Sequence, residues 1–309
     1  MDELMQKKRI LITGSNGFLG QKLTDLMVLS GAYELCCTSQ SANKNPNQKG
    51  YRFEQINLLD FDKIAALIED FKPSHIIHTA AITSVEVCEQ QADLCQQINV
   101  DAVDFIASIC KKNQIHFTFL STDFVFDGKN GPYDELAEPQ PCNAYGQSKW
   151  AAEQKIQAHA GSYAILRTIL VYGIIADQNR SNLVLWAKNK LSQGEAIQVV
   201  DDQWRMPTWV DDLAKACILA VEKNAEGIFH IAGEQMFSIL EAVYEVADFW
   251  QLDKSLISSI HAKELGQAEN RPQKTGFILT KAKQELGFIP TGFRASLPYI
   301  QEQMTTLNR

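Results

Sequence analysis

The stretch RILITGSNGFLG, Arg9 to Gly20, decides the fold. Arg9 to Ile12 is a short apolar run with the look of a buried strand, and Gly14, Gly17 and Gly20 follow at intervals of three. Phe18, Leu19, Leu23, Leu26, Met27 and Leu29 then recur at helical spacing until Gly31 stops the helix. A strand, a glycine-rich turn and a helix in that order make a phosphate cradle. Gly14 permits the tight turn, Gly17 lets backbone approach a pyrophosphate, and Gly20 lets the helix pack close to the sheet. The helix N-terminus offers unpaired N–H groups and partial positive charge to the phosphates. A glycine turn with no ligand is the plain alternative, and the flanking strand and helix argue against it.

Downstream, apolar strands alternate with helical periodicity. Glu34 to Thr38, His75 to His78, His116 to Leu120 and Tyr163 to Arg167 read as strands. Ile64 to Phe71, about Cys88 to Lys112, and Ala144 to Ala160 read as helices. That rhythm predicts an α/β, Rossmann-type, doubly wound parallel sheet. Ser39 to Gly50 and Asp123 to Asn143 are polar loops. After Gly173 the rhythm loosens: Asn182 to Leu191 and Val210 to Glu222 are helical, Ala196 to Val200 is extended, and Ile228 to Ile231 is a last strand. The expected division is a cofactor domain over 1–173, with sheet elements returning at about 208–235, and a smaller mixed substrate lobe from 174–207 and 236–309.

Composition narrows the function. The 309 residues suffice for one large α/β unit with an appendage, and 45% hydrophobic residues supply its core. A net charge of -8 with no basic stripe excludes nucleic acid as the expected partner. The apolar runs are too short to span a bilayer. Charged Met1 to Arg9 leads straight into a strand and does not read as a leader, so a cytoplasmic location is expected. The seven cysteines show no metal-ligand spacing and read as small buried hydrophobes in a reducing compartment.

A second motif carries chemistry. Tyr145-Gly-Gln-Ser-Lys149 sits on a predicted helix, and residues four apart share a face. A cation beside a phenol lowers its pKa, so Lys149 is expected to bring Tyr145 toward neutral-range acid–base work. Ser121-Thr122-Asp123 closes a buried strand, where a hydroxyl can hold a carbonyl oxygen. Alone, YxxxK is a common surface pattern; with the glycine loop it becomes a constellation.

Together these motifs resemble the extended short-chain dehydrogenase/reductase family. The TGxxGxxG loop from Thr13, STDFVFDG from Ser121 and PQPCNAYGQSKWAAE from Pro139 are similar to the dTDP-4-dehydrorhamnose reductase-like group. So are AAITSVEVCE from Ala80, LRTILVYG from Leu166, VVDDQWRMPTWVDDLA from Val199 and RPQKTGFILTKAKQELGF from Arg271. The resemblance spans nearly the whole chain. It implies a catalytic set of Thr122, Tyr145 and Lys149. It implies cofactor contacts from Gly14, Ser15, Asn16, Gly17, Phe18, Leu19, Gly20, Ser39, Asn57, Leu58, Thr79, Ala80, Ala81 and Asn99, with Tyr145 and Lys149 joining them. On the substrate side it implies Thr83, Thr122, Asn182, Arg205 and Arg271, the two arginines facing a diphosphate. No acid ends the second strand, whereas Ser39, Ser41 and Lys44 can meet a 2′-phosphate. The expected cofactor is therefore NADP, with NAD the alternative.

Gln21 stands where some relatives carry a metal-binding acid, so no metal is expected. Ile82 and Leu170 replace an aromatic and a Trp of the rhamnose reductases' sugar pocket, which leaves the sugar open. The expected activity is NAD(P)H-dependent reduction of a 4-keto nucleotide-diphosphate sugar, with Tyr145 as proton donor. An epimerase or dehydratase with retained NAD and a non-catalytic cofactor-binding regulatory subunit are the alternatives. The resemblance also implies a homodimer paired through the helices around Cys95 and Trp150.

Overall fold

The apolar strands of the N-terminal half assemble into one seven-stranded sheet in the computed structural model, which describes residues 7–176, 182–266 and 270–307. Met1 to Gln6, most of the segment read as leaderless, lie outside the described residues. In chain order the strands are β1 (Lys8–Thr13), β2 (Tyr33–Ser39), β3 (Arg52–Gln55), β4 (His75–His78), β5 (His116–Thr122) and β6 (Ser162–Thr168), followed by a last strand, Gly227–Ile231. Across the sheet the order is last strand, β6, β5, β4, β1, β2, β3. β1 pairs in parallel with both β2 and β4, β2 with β3, and β4 with β5. The chain reverses direction across the sheet at β1, and such a switch point leaves a crevice at the strand C-termini. Thr13 is in register with Thr38 and His78 there. The α/β Rossmann-type architecture expected from the rhythm is the one observed.

Two local readings differ. Arg52–Gln55 is a strand the sequence did not announce, because its RFEQ lacks a run of apolar residues and lies at the sheet edge. The long helix expected near Cys88 to Lys112 is broken into Val85–Gln90, Ala92–Gln96, a π-helical turn at Gln97–Asp101 and Ala102–Asn113. Gln91 leaves helical geometry at φ −128°, ψ 57°, and Cys88 and Cys95 on either side of it form a disulfide. That pair departs from the reading of the cysteines as small buried hydrophobes in a reducing compartment; Cys36, Cys37, Cys110 and Cys217 are buried and free, and Cys142 is half-buried and free.

The chain divides into two compact units. The first comprises 1–121, 148–166 and 214–228; the second comprises 122–147, 167–213 and 229–309. The second unit begins at Thr122, ahead of the boundary expected at Gly173. The reason is packing within the second unit: the backbone after β5 is tied to the 272–278 segment, with Lys274 N donating to Gly128 O and Tyr133 N to Gly276 O. The first unit's core packs Leu11, Ile76, Phe117, Ile106 and Ile156 together. The second unit holds three small two-stranded sheets and a ring stack of Phe126 on Tyr133 and His230 on Phe277, with centroids 4.1 and 3.9 Å apart. No helix among the described residues is long and apolar enough to cross a membrane.

Candidate active site

In the first unit the glycine loop is built as its sequence requires. Gly14 has φ +73°, and a Cβ there would lie 2.6 Å from Ala80 N, so only glycine fits beneath the Thr79–Ala80 backbone. Thr79 Oγ1 donates to Thr13 O at 2.7 Å. A Cβ on Gly20 would lie 2.3 Å from Gly14 O, which is why the helix can start so close to the turn. That helix, Phe18–Ser30, has no side chain capping its N-terminus and no acid in its first turn. Its free amides and dipole therefore suit an anion, and the loop fits the pyrophosphate of a dinucleotide.

The neighbouring residues close the loop's flanks. Ser15 bonds Thr38 O through both its amide and its hydroxyl. Asn16 Nδ2 donates to Ser41 and Ala42, and its Oδ1 accepts from Lys44 N, so it fastens the loop after β2. Gln21 is buried and turns its amide back to Asn16 O. Ser39 is half-buried at the end of β2, and exposed Asn57 accepts from Leu59 N while Leu58 beside it is half-buried. Ala81 is partly exposed, and Thr83 is exposed. Asn99 is buried and its amide is used inside the protein. It accepts from Ile82 N at 2.8 Å and donates to Ile82 O at 2.9 Å and Ser148 Oγ at 3.0 Å. It braces the loop after β4 against the residue preceding Lys149.

Lys149 is buried with its ammonium 3.9 Å from the centre of the Phe119 ring. Burial pushes its pKa down to about 7, against the pull of the Glu153 carboxylate. Glu153 is fully buried and accepts the Ser121 hydroxyl. His78, which the sequence reading passed over, is buried with Nδ1 2.9 Å from Thr13 Oγ1. Burial and the Lys149 charge press its pKa down to about 3, so it is neutral. Its signal was available: a His closing a buried strand one residue before Thr79.

The second unit holds the hydroxyls. Thr122 Oγ1 accepts from Phe124 N and lies 3.2 Å from Asp123 Oδ1. Tyr145, half-buried, hydrogen-bonds the Thr122 side chain. Gly146 permits this approach, since a Cβ would lie 2.1 Å from Phe124 O. Asn143 fastens the helix start by accepting from Gly146 N at 2.7 Å and donating to Asn270 O at 2.8 Å. Tyr145 and Lys149 stand four residues apart on the helix Ala144–His159. The expected lowering of Tyr145 does not appear. Burial first, then the Asp123 charge, lift its phenol well above the ordinary range, while the Thr122 bond works against them. Burial of the phenol outweighs the other influences on it, and burial lowers the pKa of Lys149 as well.

The expected substrate residues of this unit fall into two kinds. Arg205 is buried and points inward: its guanidinium donates to Trp204 O at 2.7 Å, Pro272 O at 2.7 Å and Gln273 O at 3.2 Å, with Nε 3.7 Å from Asp123 Oδ2. Asn182 caps the helix Leu183–Ser192 by accepting from Leu185 N and donates to Gly173 O. Arg271 is half-buried, and its charge acts on Arg205.

The fold, with the relatives it resembles, is that of an NAD(P)-dependent oxidoreductase of the extended short-chain dehydrogenase/reductase type. A family model described as the RmlD substrate binding domain matches residues 8–306, and the chain belongs to that family. It is 29% identical to a dTDP-4-dehydrorhamnose reductase of Aggregatibacter actinomycetemcomitans over 95% of this chain and 98% of that protein. It is 31% identical to methionine adenosyltransferase 2 subunit beta of Xenopus tropicalis over 88% of this chain and 80% of that protein. Among solved structures, the dTDP-4-dehydrorhamnose reductase of Bacillus anthracis in complex with NADP superposes with a TM-score of 0.85 at 25% identity, covering 96% of this chain and 100% of that one.

Proposed function

We propose that the chain uses NADPH to reduce a 4-keto sugar carried on a nucleoside diphosphate. The observation that carries this reading is the Tyr145–Thr122 hydrogen bond at the end of β5, one helical turn before buried Lys149. Bound NADPH supplies the hydride. The glycine loop, Ser39 and Lys44 hold the dinucleotide, and the absence of an acid after Thr38 leaves room for a 2′-phosphate. Thr122 holds the carbonyl oxygen. Tyr145, whose raised pKa keeps it a neutral phenol, gives that oxygen its proton. Arg271 faces the diphosphate, and Arg205 holds the 272–273 backbone beside it. The dTDP-4-dehydrorhamnose reductase relatives support this substrate class.

A screen of 4-keto nucleotide-sugars for NADPH oxidation tests it, starting with dTDP-4-dehydrorhamnose. Tyr145→Phe should leave folding and NADPH binding intact and slow turnover by about 10²–10⁴-fold, the usual worth of a general acid. Wild-type rates in that variant would remove Tyr145 from the mechanism. The methionine adenosyltransferase relatives favour a second reading, in which the cofactor-loaded chain serves another enzyme as a subunit. It predicts no turnover with any sugar nucleotide. NAD that stays bound through gel filtration would instead favour an epimerase.

A further inference from the structure

One of the second unit's small sheets pairs the strand Ile197–Val200 in parallel with Ile257–Ile260, and Val200 stands in register with Ile260. Asp201 N donates to Ile260 O at 3.2 Å, so the pairing runs one residue past the strands. The two strand ends therefore deliver Asp201 and Asp202 from one side and His261 from the other to a single place. One ligand atom from each of these side chains lies within 4.8 Å of the others. His261 Nδ1 is 3.3 Å from Asp201 Oδ1 and 3.6 Å from Asp202 Oδ2. His261 is exposed and the two carboxylates are half-buried, so an ion can enter from solvent.

Two neighbouring carboxylates repel, and this pair calls for a positive charge. Among the described residues their ion-pair partner is His261, with no Lys or Arg beside them. A protonated His261 held between them is the plain alternative. It would turn its Nδ1–H onto one oxygen. Yet Asp201 Oδ1 is buried without a hydrogen-bond partner, and Asp202 Oδ2 at 3.6 Å is beyond hydrogen-bond reach. The backbone bonds go to other atoms: Asp202 Oδ1 accepts from Ala262 N at 2.9 Å, and Glu264 Oε1 accepts from His261 N at 3.3 Å. They hold the side chains in place and leave Asp201 Oδ1, Asp202 Oδ2 and His261 Nδ1 unspent. Three such atoms converge without bonding one another, as ligands do about a common centre.

We propose that Asp201, Asp202 and His261 bind one Zn²⁺ ion, each through a single atom, with water completing the coordination. Ligands about 2.0–2.2 Å from a tetrahedral Zn²⁺ stand roughly 3.3–3.6 Å apart, the separations seen around His261 Nδ1. An imidazole ligand favours a transition metal over Mg²⁺ and Ca²⁺, which take oxygen shells. Two carboxylates cancel the charge of the ion. The site departs from the expectation of no metal, which rested on Gln21 in the first unit. It uses none of the residues assigned to catalysis or cofactor. The ion ties two strand ends together immediately before Gln203, Trp204 and Arg205, and Trp204 and Arg205 in turn hold the 272–273 backbone.

The metal-stripped full chain, titrated with Zn²⁺ in a calorimeter, should bind one ion at this site. His261→Ala, Asp201→Asn and Asp202→Asn should each weaken that binding by more than about tenfold, since even partners outside the ligand set are typically worth that much. Zn²⁺ should also raise the urea midpoint of the wild type and leave that of His261→Ala unmoved, because an ion held by the folded chain stabilises it. No binding, or unchanged affinity in any one of the three variants, overturns the three-ligand set. An equal rise in urea midpoint in the wild type and His261→Ala overturns it as well.

Co²⁺ gives a readout in the unmutated chain. Held by two carboxylate oxygens and an imidazole, it should give visible absorption without a near-ultraviolet thiolate band. A thiolate band would place the ion on a cysteine, half-buried Cys142 being the accessible one, and would refute the site. In histidine-labelled protein, Zn²⁺ should shift the His261 Nδ1 resonance far more than Nε2; the reverse would mean ligation from the wrong side of the ring. Neither measurement uses NADPH or a nucleotide-sugar. Failure here leaves the proposed reduction standing, and failure of the reduction leaves the metal site standing.

Discussion

Lys149 and Arg205 are both cations buried to within a few per cent, one in each unit, and the protein treats them in opposite ways. Lys149 has an aromatic face and one carboxylate for company, and burial brings its pKa down to about 7. Its charge is therefore adjustable near neutral pH. Arg205 has three backbone carbonyls and Asp123 around it. A guanidinium does not give up its proton in proteins, so this one is a fixed charge that ties a loop in place. Burial alone does not tell an adjustable cation from a fixed one; the partners do.

The sharpest way to break that contrast is to remove Arg205. Taking one partner from a buried ion pair typically costs about 3–5 kcal/mol. Arg205→Ala should lose stability of that order in urea unfolding, with NADPH binding in the surviving native fraction unchanged. Arg205→Lys should not restore it, because an ammonium cannot reproduce the planar fork onto Pro272 and Gln273. A variant of wild-type stability with a raised KM for the nucleotide-sugar would make Arg205 a ligand, as the family resemblance first suggested.

That resemblance also marks what the sequence could carry. The glycine loop and YxxxK were legible because each is local: strand, turn and helix lie in one stretch, and four residues make one helical turn. Asn99 and Arg205 were legible as positions, but the bonds they make inside the protein were not. Their partners, Ser148 for one and Pro272 for the other, are 49 and 67 residues away in the chain. No short-range pattern shows which way such a side chain turns. The Cys88–Cys95 pair was hidden for a related reason: seven residues apart, the two meet only because Gln91 breaks the helix between them.

Lys149 allows a subtler test. Its pKa is about 7 in the folded chain against an ordinary 10.5. Below about 7 both folded and unfolded chains hold the proton, and the full cost of burying the charge is present. Between 7 and 10.5 the unfolded chain binds the proton and the folded one does not, so stability rises with pH across that window. Lys149→Met removes the group. The stability of the wild type relative to that variant should climb with pH, by at most about 1.4 kcal/mol per unit. A flat difference across the window would mean that Lys149 stays charged when buried and that Glu153 outweighs its desolvation.

Asn182 carries the same distinction at the smallest scale. It occupies a position expected to face substrate, yet both ends of its amide are engaged within the second unit. Oδ1 takes Leu185 N at 3.3 Å as the cap of the helix Leu183–Ser192, and Nδ2 gives to Gly173 O at 2.9 Å. Losing a capping side chain typically costs about 1 kcal/mol. Asn182→Ala should show that loss in urea unfolding. Asn182→Asp should recover most of it, since a carboxylate caps as well and suits the helix dipole, although it cannot donate to Gly173 O. Substrate KM should stay within about twofold in both variants. If Asn182→Ala is as stable as the wild type while KM rises tenfold, the amide serves the ligand rather than the helix, and an inward-turned polar group in this unit is no longer a guide to its role.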